Sequence, residues 1–397
     1  MSNSRKIYLF SFFYMFLVTI PVIVPFFLSL GLTMSEVFQL QAIFGICVCA
    51  LEIPTGYLCD MWGRKNTLVV GSFISGIGFT LLLFANTFWS LAVFEMVLAL
   101  ALSLVSGADV SLLYDSVDKS HRKHGAISLA NMQLASVSGE SVASVLGGIL
   151  VAWSFSHVLW ANAIAGWIPF FVALTFHEPS YEKMSGKSHW HNFTQVFRHI
   201  FFHHDRILVL TSINLIVWGL STFFAVWMFQ KYWQVNGVSL MYFGFIWAAY
   251  NISVGLVGKQ VHWIETKVGP LPLLVFLGLS PVIGYFGMGL AGGYLGVTIG
   301  LLFYFSRGVT SVLLKDAMNW RTPSSFRATA NSLQSFFFRL GFAIFGPGVG
   351  YTIDTYGIRV ALFTLGSVFA VLFLLTLVPL IRAIGKAAPD YIPEGNA

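Results

Sequence analysis

The sequence predicts an all-α integral membrane protein with twelve transmembrane helices arranged as two pseudo-symmetric halves of six. Three observations support this prediction. Apolar residues make up 57% of the 397 positions and charged residues only 10%, whereas soluble domains carry about 25% charged residues. Twelve apolar stretches are each long enough to cross a bilayer. All but four of the 22 lysines and arginines fall at the termini or in alternate connections, as the positive-inside rule requires.

The first apolar run follows a short basic segment and has no small-residue cleavage site, so we expect a retained span rather than a signal peptide. The twelve spans are predicted at residues 7–30, 36–58, 67–86, 88–113, 125–152, 157–176, 207–229, 239–258, 270–290, 294–314, 328–352 and 359–381. The placement of basic residues predicts that both termini are cytoplasmic. Short outer loops without an exposed glycosylation signal suit a bacterial inner membrane.

One long polar connection divides the chain into halves. Residues 177–206 form a linker between an N-terminal bundle (1–176) and a C-terminal bundle (207–397). The linker is rich in histidine, but the spacing fits no standard metal site, and we expect a solvated amphipathic helix at the inner membrane surface. A shift of 200 residues places Ser106 on Ser306 and Gly148 on Gly348, which indicates that the two halves are repeats.

Charged side chains inside the spans are the main functional candidates, because each is costly in a bilayer unless it faces water or a partner. Glu140 lies near the middle of the fifth span. Burial disfavours the charged form of a carboxylate, so Glu140 is a candidate proton carrier. Glu52 and Asp109 are further proton-coupling candidates, and both lie near the inner side. A structural ion pair or hydrogen bond is the alternative for Glu140. We expect Glu95 to reach the headgroups at the outer end of its helix.

Two arginines also lie within spans. Arg307 shares a helix face with Tyr304, and Arg339 shares one with Ser335, by i, i+3 and i, i+4 spacing. An arginine at this depth keeps its proton and needs an anionic partner. That partner is either a carboxylate of another span or an anionic group of a ligand.

A short polar turn joins the second and third spans. In Gly56-Tyr-Leu-Cys-Asp60-Met-Trp-Gly63-Arg64-Lys65, the glycine, acidic and basic positions have the spacing of the signature loop of the major facilitator superfamily, which the chain resembles. Met61 replaces the usual basic residue. Further segments, such as Glu52-Ile-Pro-Thr-Gly56 and Leu113-Tyr-Asp-Ser116, resemble bacterial members that transport drugs, metabolites or siderophores.

The resemblance implies roles for particular residues. Asp115, at the end of the fourth span, resembles the acidic residue that pairs with the signature arginine, so Asp60, Arg64 and Asp115 are expected to form an inner-gate charge cluster. Alternatively, Arg64 and Lys65 only set the topology. In this fold the first, fourth, seventh and tenth helices line the cavity. The resemblance therefore makes three aromatic side chains candidates for substrate contact, Tyr14, Trp218 and Tyr304. The two intramembrane arginines, Arg307 and Arg339, are candidates as well.

A small-residue pattern in the fifth span resembles the antiporter motif of the superfamily. Gly139 and the pair Gly147-Gly148 match it, but Ala143 and Ser144 replace its Gly-Pro pair. The departure leaves import by symport and export by antiport both open, and plain helix packing is the alternative.

The resemblance therefore implies a secondary active transporter that moves a small organic solute by alternating access, and the two intramembrane arginines favour an anionic or zwitterionic solute. The chain has no nucleotide-binding loop, so the proton gradient is the expected energy source, without a cofactor or metal. A lipid flippase on the same fold and a non-transporting sensor are the alternatives. No catalytic constellation suggests an enzyme, nothing suggests nucleic-acid binding, and we expect a monomer in the lipid bilayer.

Overall fold

The computed structural model describes residues 3–116, 122–178, 205–323 and 326–387. All regular elements in these ranges are helical, which confirms the predicted fold class. Eleven helices among them are long and apolar enough to cross a membrane. The predicted helix of the linker lies outside the described residues. The predicted boundaries of the two bundles stay a prediction.

Nine helices, α1–α9, form the first six predicted spans. Their bounds are Asn3–Tyr14, Ile23–Ser29, Met34–Trp62, Arg64–Leu82, Phe88–Val105, Ala108–Ser116, Arg122–Val151, Phe155–Gly166 and Ile168–Leu174. Seven more helices, α10–α16, form the last six. Their bounds are Arg206–Val235, Leu240–Val268, Pro270–Leu290, Gly293–Arg321, Arg327–Tyr356, Ile358–Leu372 and Val378–Ala387. A π-helical turn, Phe373–Leu377, joins α15 to α16.

The first span is broken, which corrects the prediction of one continuous helix over residues 7–30. Helix α1 ends at Tyr14, and a short 3-10 turn at Ile20–Val22 precedes α2. Proline at position 21 has no N–H to donate and cannot continue an α-helix from the preceding turn. The side chain of Asn162 on α8 forms hydrogen bonds to the non-helical segment. Its Oδ1 accepts from the backbone N–H of Thr19 at 3.1 Å and from the Oγ1 of the same residue at 3.3 Å.

Two tight turns between neighbouring helices depend on glycine. Gly63 ends α3 and starts α4 with φ +88°, and Gly269 precedes α12 with φ +79°. Residues with a Cβ rarely adopt this conformation. The turns lie at corresponding places in the two predicted halves, after the second and eighth spans.

By contacts between residues, the chain divides into two compact units. The first comprises the described residues within Met1–Lys187, Trp233–Ile252 and Ala343–Tyr351. In it, α5 packs against both α3 and α4. A core cluster joins the start of the chain to the fourth and sixth spans, through Ile7, Phe10, Leu112 and Phe176.

The second unit comprises the described residues within Ser188–Tyr232, Ser253–Phe342 and Thr352–Ala397. Here α12 packs against α13 and α15. Asp205 accepts a hydrogen bond from Arg321 at 3.1 Å and so ties the start of α10 to the end of α13. Burial alone would raise the pKa of the Asp205 carboxyl, but the Leu208 and Ile207 amides and Arg321 together hold that pKa below its usual value.

Candidate functional site

Glu140 on α7 accepts two hydrogen bonds on one carboxylate oxygen. The indole N–H of Trp247 lies 3.0 Å from Oε1, and the side-chain amide of Asn251 lies 2.7 Å from the same atom. Trp247 and Asn251 are four residues apart on α11, so one helix face carries both donors. Trp247 is buried and Glu140 and Asn251 are half-buried.

Small residues bring backbone into close contact on either side of Glu140. A Cβ on Gly139 would overlap the carbonyl oxygen of Phe12, and one on Gly147 would overlap that of Val18. A Cβ on Gly148 would meet the backbone of Met241 and Gly244 on α11. The glycines that resemble the antiporter motif therefore let α7 pack directly on the first span and on the start of α11.

The partners of Glu140 are neutral. Among the described residues the carboxylate makes no ion pair; its donors are an indole and an amide, neither of which titrates. Protonation of this carboxylate would therefore break no ion pair among the described residues. This arrangement is chemically suited to carrying a proton through a membrane-spanning segment.

The other proton-coupling candidates lie elsewhere in the first unit. Asp109 starts α6, and its Oδ1 accepts from the amide of Val110 at 2.7 Å. The ring of Tyr14 stacks on that of Phe10, with the ring centroids 5.6 Å apart. Glu52 is half-buried near the end of α3. Their coupling roles stay predictions.

The expectation for Glu95 is wrong. Its side chain is only 5% exposed, and Oε1 accepts a hydrogen bond from the Gln41 amide on α3 at 2.7 Å. The carboxyl group therefore faces a neighbouring helix instead of the headgroups.

The two intramembrane arginines differ in exposure. Arg307 is exposed on α13, whereas Arg339 is half-buried on α14. The Nε of Arg339 donates to the Oγ of Ser335 at 3.3 Å, as their spacing predicts. Substrate contact by either arginine stays a prediction.

Two of the aromatic candidates lie in packed surroundings. Trp218 is fully buried against Phe369 and donates its indole N–H to Asn214 at 2.9 Å. Tyr304 is 1% exposed, with its ring 6.0 Å from that of Phe229. The structure places both in side-chain packing, and their role as substrate contacts stays a prediction.

An ion pair joins the signature loop to α6. The Nε of Arg64 lies 2.6 Å from Oδ2 of Asp115, and both side chains are mostly shielded from solvent. The start of the third span is thus bound to the end of the fourth. The side chain of Asp60, the third predicted member of the cluster, lies outside the described part of the structure.

The family model of the Major Facilitator Superfamily matches residues 7–319. The chain belongs to this superfamily. It is therefore a multi-pass membrane protein of a transporter family and not an enzyme. No curated protein sequence matches the chain.

Solved transporter structures share the fold at low sequence identity. The nucleoside transporter NupG aligns with a TM-score of 0.78 and 13% identity over 96% of this chain and 100% of its own. A bacterial homologue of the human lysosomal transporter Spinster gives 0.76 and 15%, over 99% and 98%. A POT family transporter in complex with 5-aminolevulinic acid gives 0.72 and 12%, over 98% and 95%.

In this member of the superfamily, Glu178 forms hydrogen bonds to the backbone of the signature loop. Its carboxylate accepts from the backbone N–H groups of Arg64 and Lys65 at 2.8 and 2.7 Å. It thereby satisfies two free donors at the positive end of α4. A Cβ on Gly63 would crowd this carboxylate at 2.9 Å, so the glycine provides space as well as the turn.

Sequence reasoning missed three of these site residues. Glu178 is separated from the loop by more than 110 positions, and its only signal is an acidic residue directly after the sixth span. Trp247 and Asn251 carried a clearer signal, because an indole and an amide four residues apart present donors on one face of a span.

Replacing Arg64 with alanine is expected to slow transport about 5- to 30-fold while substrate binding persists. The change leaves Asp115 without its ion-pair partner, and a loss of 1–2 kcal/mol in one conformation changes its population by about that factor. Initial transport rates and equilibrium binding in the same preparation measure the effect. Lys65→Ala is the control, since it removes a neighbouring charge but keeps both backbone bonds to Glu178. Loss of binding, or equal slowing by the control, would contradict the gating role.

Proposed function

We propose that this protein is a proton-coupled secondary transporter of a small organic solute, and that Glu140 carries the coupling proton. The observation that carries the proposal is the carboxylate in the middle of a span, bound by the neutral donors Trp247 and Asn251. Protonation of a carboxylate that is paired with an arginine breaks an ion pair, whereas the donors that bind Glu140 are neutral.

The position of Glu140 supports a link between protonation and conformation. Trp247 and Asn251 belong to α11, and the same helix meets α7 backbone to backbone at Gly148. Protonation removes the negative charge that strengthens both hydrogen bonds. The contact between α7 and α11 then weakens, so a proton on Glu140 favours their separation. This step gives the proton a means to act on alternating access.

The solute that we propose is anionic or zwitterionic. Arg339 and Arg307 keep their positive charge within membrane-spanning helices, and this charge favours a solute with an anionic group. The solved neighbours include a nucleoside transporter and a POT family transporter bound to 5-aminolevulinic acid, which are precedents on this fold for small polar organic solutes.

We further propose that the Arg64–Asp115 ion pair and the Glu178 cap form the inner gate, together with Asp60. The protein would act as a monomer in a bacterial inner membrane with both termini in the cytoplasm. The excess of lysine and arginine on that face supports this orientation.

Transport in sealed vesicles tests the proposal. The purified protein is reconstituted in one orientation, and organic acids, amino acids, nucleosides, peptides, siderophores and cationic drugs are added singly while an enclosed dye reports pH. We expect proton movement with at least one anionic or zwitterionic compound, absent from protein-free vesicles. Its direction distinguishes symport from antiport. Solute movement that is not driven by a proton gradient and is not accompanied by proton movement would overturn the coupling.

A further inference from the structure

A surface groove of about 400 Å³ runs between the first and sixth spans of the first unit. It lies at the face of the membrane where the chain begins, since α1 starts and α9 ends there. Its lining comes from α1 and from α9 with the residue that follows it: Lys6, Leu9, Ile168, Phe171, Val172 and Thr175.

The wall of this groove is largely apolar and is exposed at the surface of the protein. Ile168, Phe171, Val172 and Thr175 are spaced i, i+3, i+4 and i+7, so they form one stripe along α9. Phe171 is 61% exposed and Leu9 is 41% exposed. Seven residues of helix rise about 10 Å, which accommodates about half of a lipid acyl chain.

A positive charge closes the polar end of the groove. The ammonium of Lys6 donates a hydrogen bond to the carbonyl oxygen of Thr175, at the negative end of α9. This bond holds the side chain across the groove, and because a lysine ammonium has three N–H donors it can also bond to a ligand. Arg5, beside it, is exposed.

In the part of the chain that the structure describes, no carboxylate forms an ion pair with Lys6. Glu178 lies three residues beyond Thr175, but its two oxygens accept from the backbone amides of Arg64 and Lys65. Asp115 is paired with the guanidinium of Arg64. The end of the groove thus combines an apolar wall with a fixed cation, which is complementary to a lipid with a negative headgroup.

We propose that the groove binds an anionic phospholipid, with an acyl chain along α9 and the headgroup phosphate on Lys6. The bound lipid would brace the first span against the sixth, where Asn3 already bonds His177 at 2.7 Å. A basic side chain near the membrane surface contributes about 1 kcal/mol to attraction of an anionic lipid, or about fivefold in affinity. This site is independent of the proton-coupling proposal.

Native mass spectrometry of the full chain tests the site, with dioleoyl phosphatidylglycerol and dioleoyl phosphatidylcholine titrated separately into detergent micelles. We expect the wild-type protein to prefer the anionic lipid about fivefold. Lys6→Gln should lose this preference, and Lys6→Arg should keep it. Leu9→Trp fills the exposed groove and should weaken binding of both lipids. Lys259→Gln, which removes an exposed lysine that does not line the groove, should match the wild type.

Several outcomes would overturn the proposal. One is an anionic preference that survives in Lys6→Gln or disappears equally in Lys259→Gln. Another is displacement of the lipid by millimolar inorganic phosphate, which would assign the site to a free anion. A dimer that Leu9→Trp dissociates, with lipid binding unchanged, would assign the groove to a second copy of the chain. Size-exclusion profiles of all variants exclude loss of folding as the cause.

Discussion

Replacing Glu140 with glutamine is expected to abolish solute accumulation driven by a proton gradient, while exchange of solute across the membrane persists. The glutamine carbonyl can still accept from Trp247 and Asn251, so the contact between α7 and α11 is retained. What the variant loses is the group that takes up and releases a proton. Accumulation in vesicles with an imposed gradient should fall to the level of protein-free vesicles, and counterflow should remain.

Glu95→Gln is the matched control for this prediction. Glu95 is also a carboxyl group within a span, and it is also bonded by a neutral amide, that of Gln41. It lies on α5, away from the contact between α7 and α11. We expect gradient-driven accumulation to survive in this variant. The reverse pattern, with coupling lost in Glu95→Gln and intact in Glu140→Gln, would move the proton site to α5.

Replacing Gly147 with alanine is expected to destabilise the protein strongly. The new Cβ would overlap the carbonyl oxygen of Val18, in the non-helical break of the first span. That segment cannot easily retreat, because Thr19 is held by two hydrogen bonds to Asn162. Overpacking of this kind costs about 1–3 kcal/mol. Thermal unfolding in detergent should show a clearly lower midpoint and a reduced yield of folded protein.

Gly255→Ala provides the comparison. Gly255 lies within α11, and a Cβ there would have nothing within 4 Å. Because alanine is favoured over glycine in a helix by about 1 kcal/mol, this variant should be as stable as the wild type or more so. Equal unfolding midpoints for the two variants would show that the close approach of α7 to the first span is not required.

Local patterns predicted much of this molecule. Apolar stretches of bilayer length predicted the spans. Gly63 and Arg64 predicted the signature turn, because residues that are neighbours in the sequence remain neighbours within a tight turn. The pairing of Arg64 with Asp115 was expected from the resemblance to the superfamily, and in the structure the Nε of Arg64 lies 2.6 Å from Oδ2 of Asp115.

Contacts between distant residues could not be predicted from one sequence. The donors to Glu140 are more than 100 positions away, and periodicity says only which face a residue occupies. The same limit explains the error at Glu95, whose place near a helix end suggested headgroups while Gln41 on α3 faces it. The proline at position 21 is evident in the sequence, but a proline does not always break a membrane-spanning helix, because another side chain can bond to the backbone groups that it frees. Here that side chain is Asn162, which is distant in sequence, so the break could not be predicted.

Counting the protons that accompany solute binding tests the central claim most directly. Calorimetric titration of the purified protein, with a solute identified in the vesicle assay, is repeated in two buffers of different ionisation enthalpy, and the difference gives the protons taken up or released. We predict a net change of up to about one proton on solute binding for the wild type. Glu140→Gln should show none while still binding the solute, and Glu95→Gln should resemble the wild type. An unchanged proton count in Glu140→Gln would contradict the assignment of the coupling proton to this carboxylate.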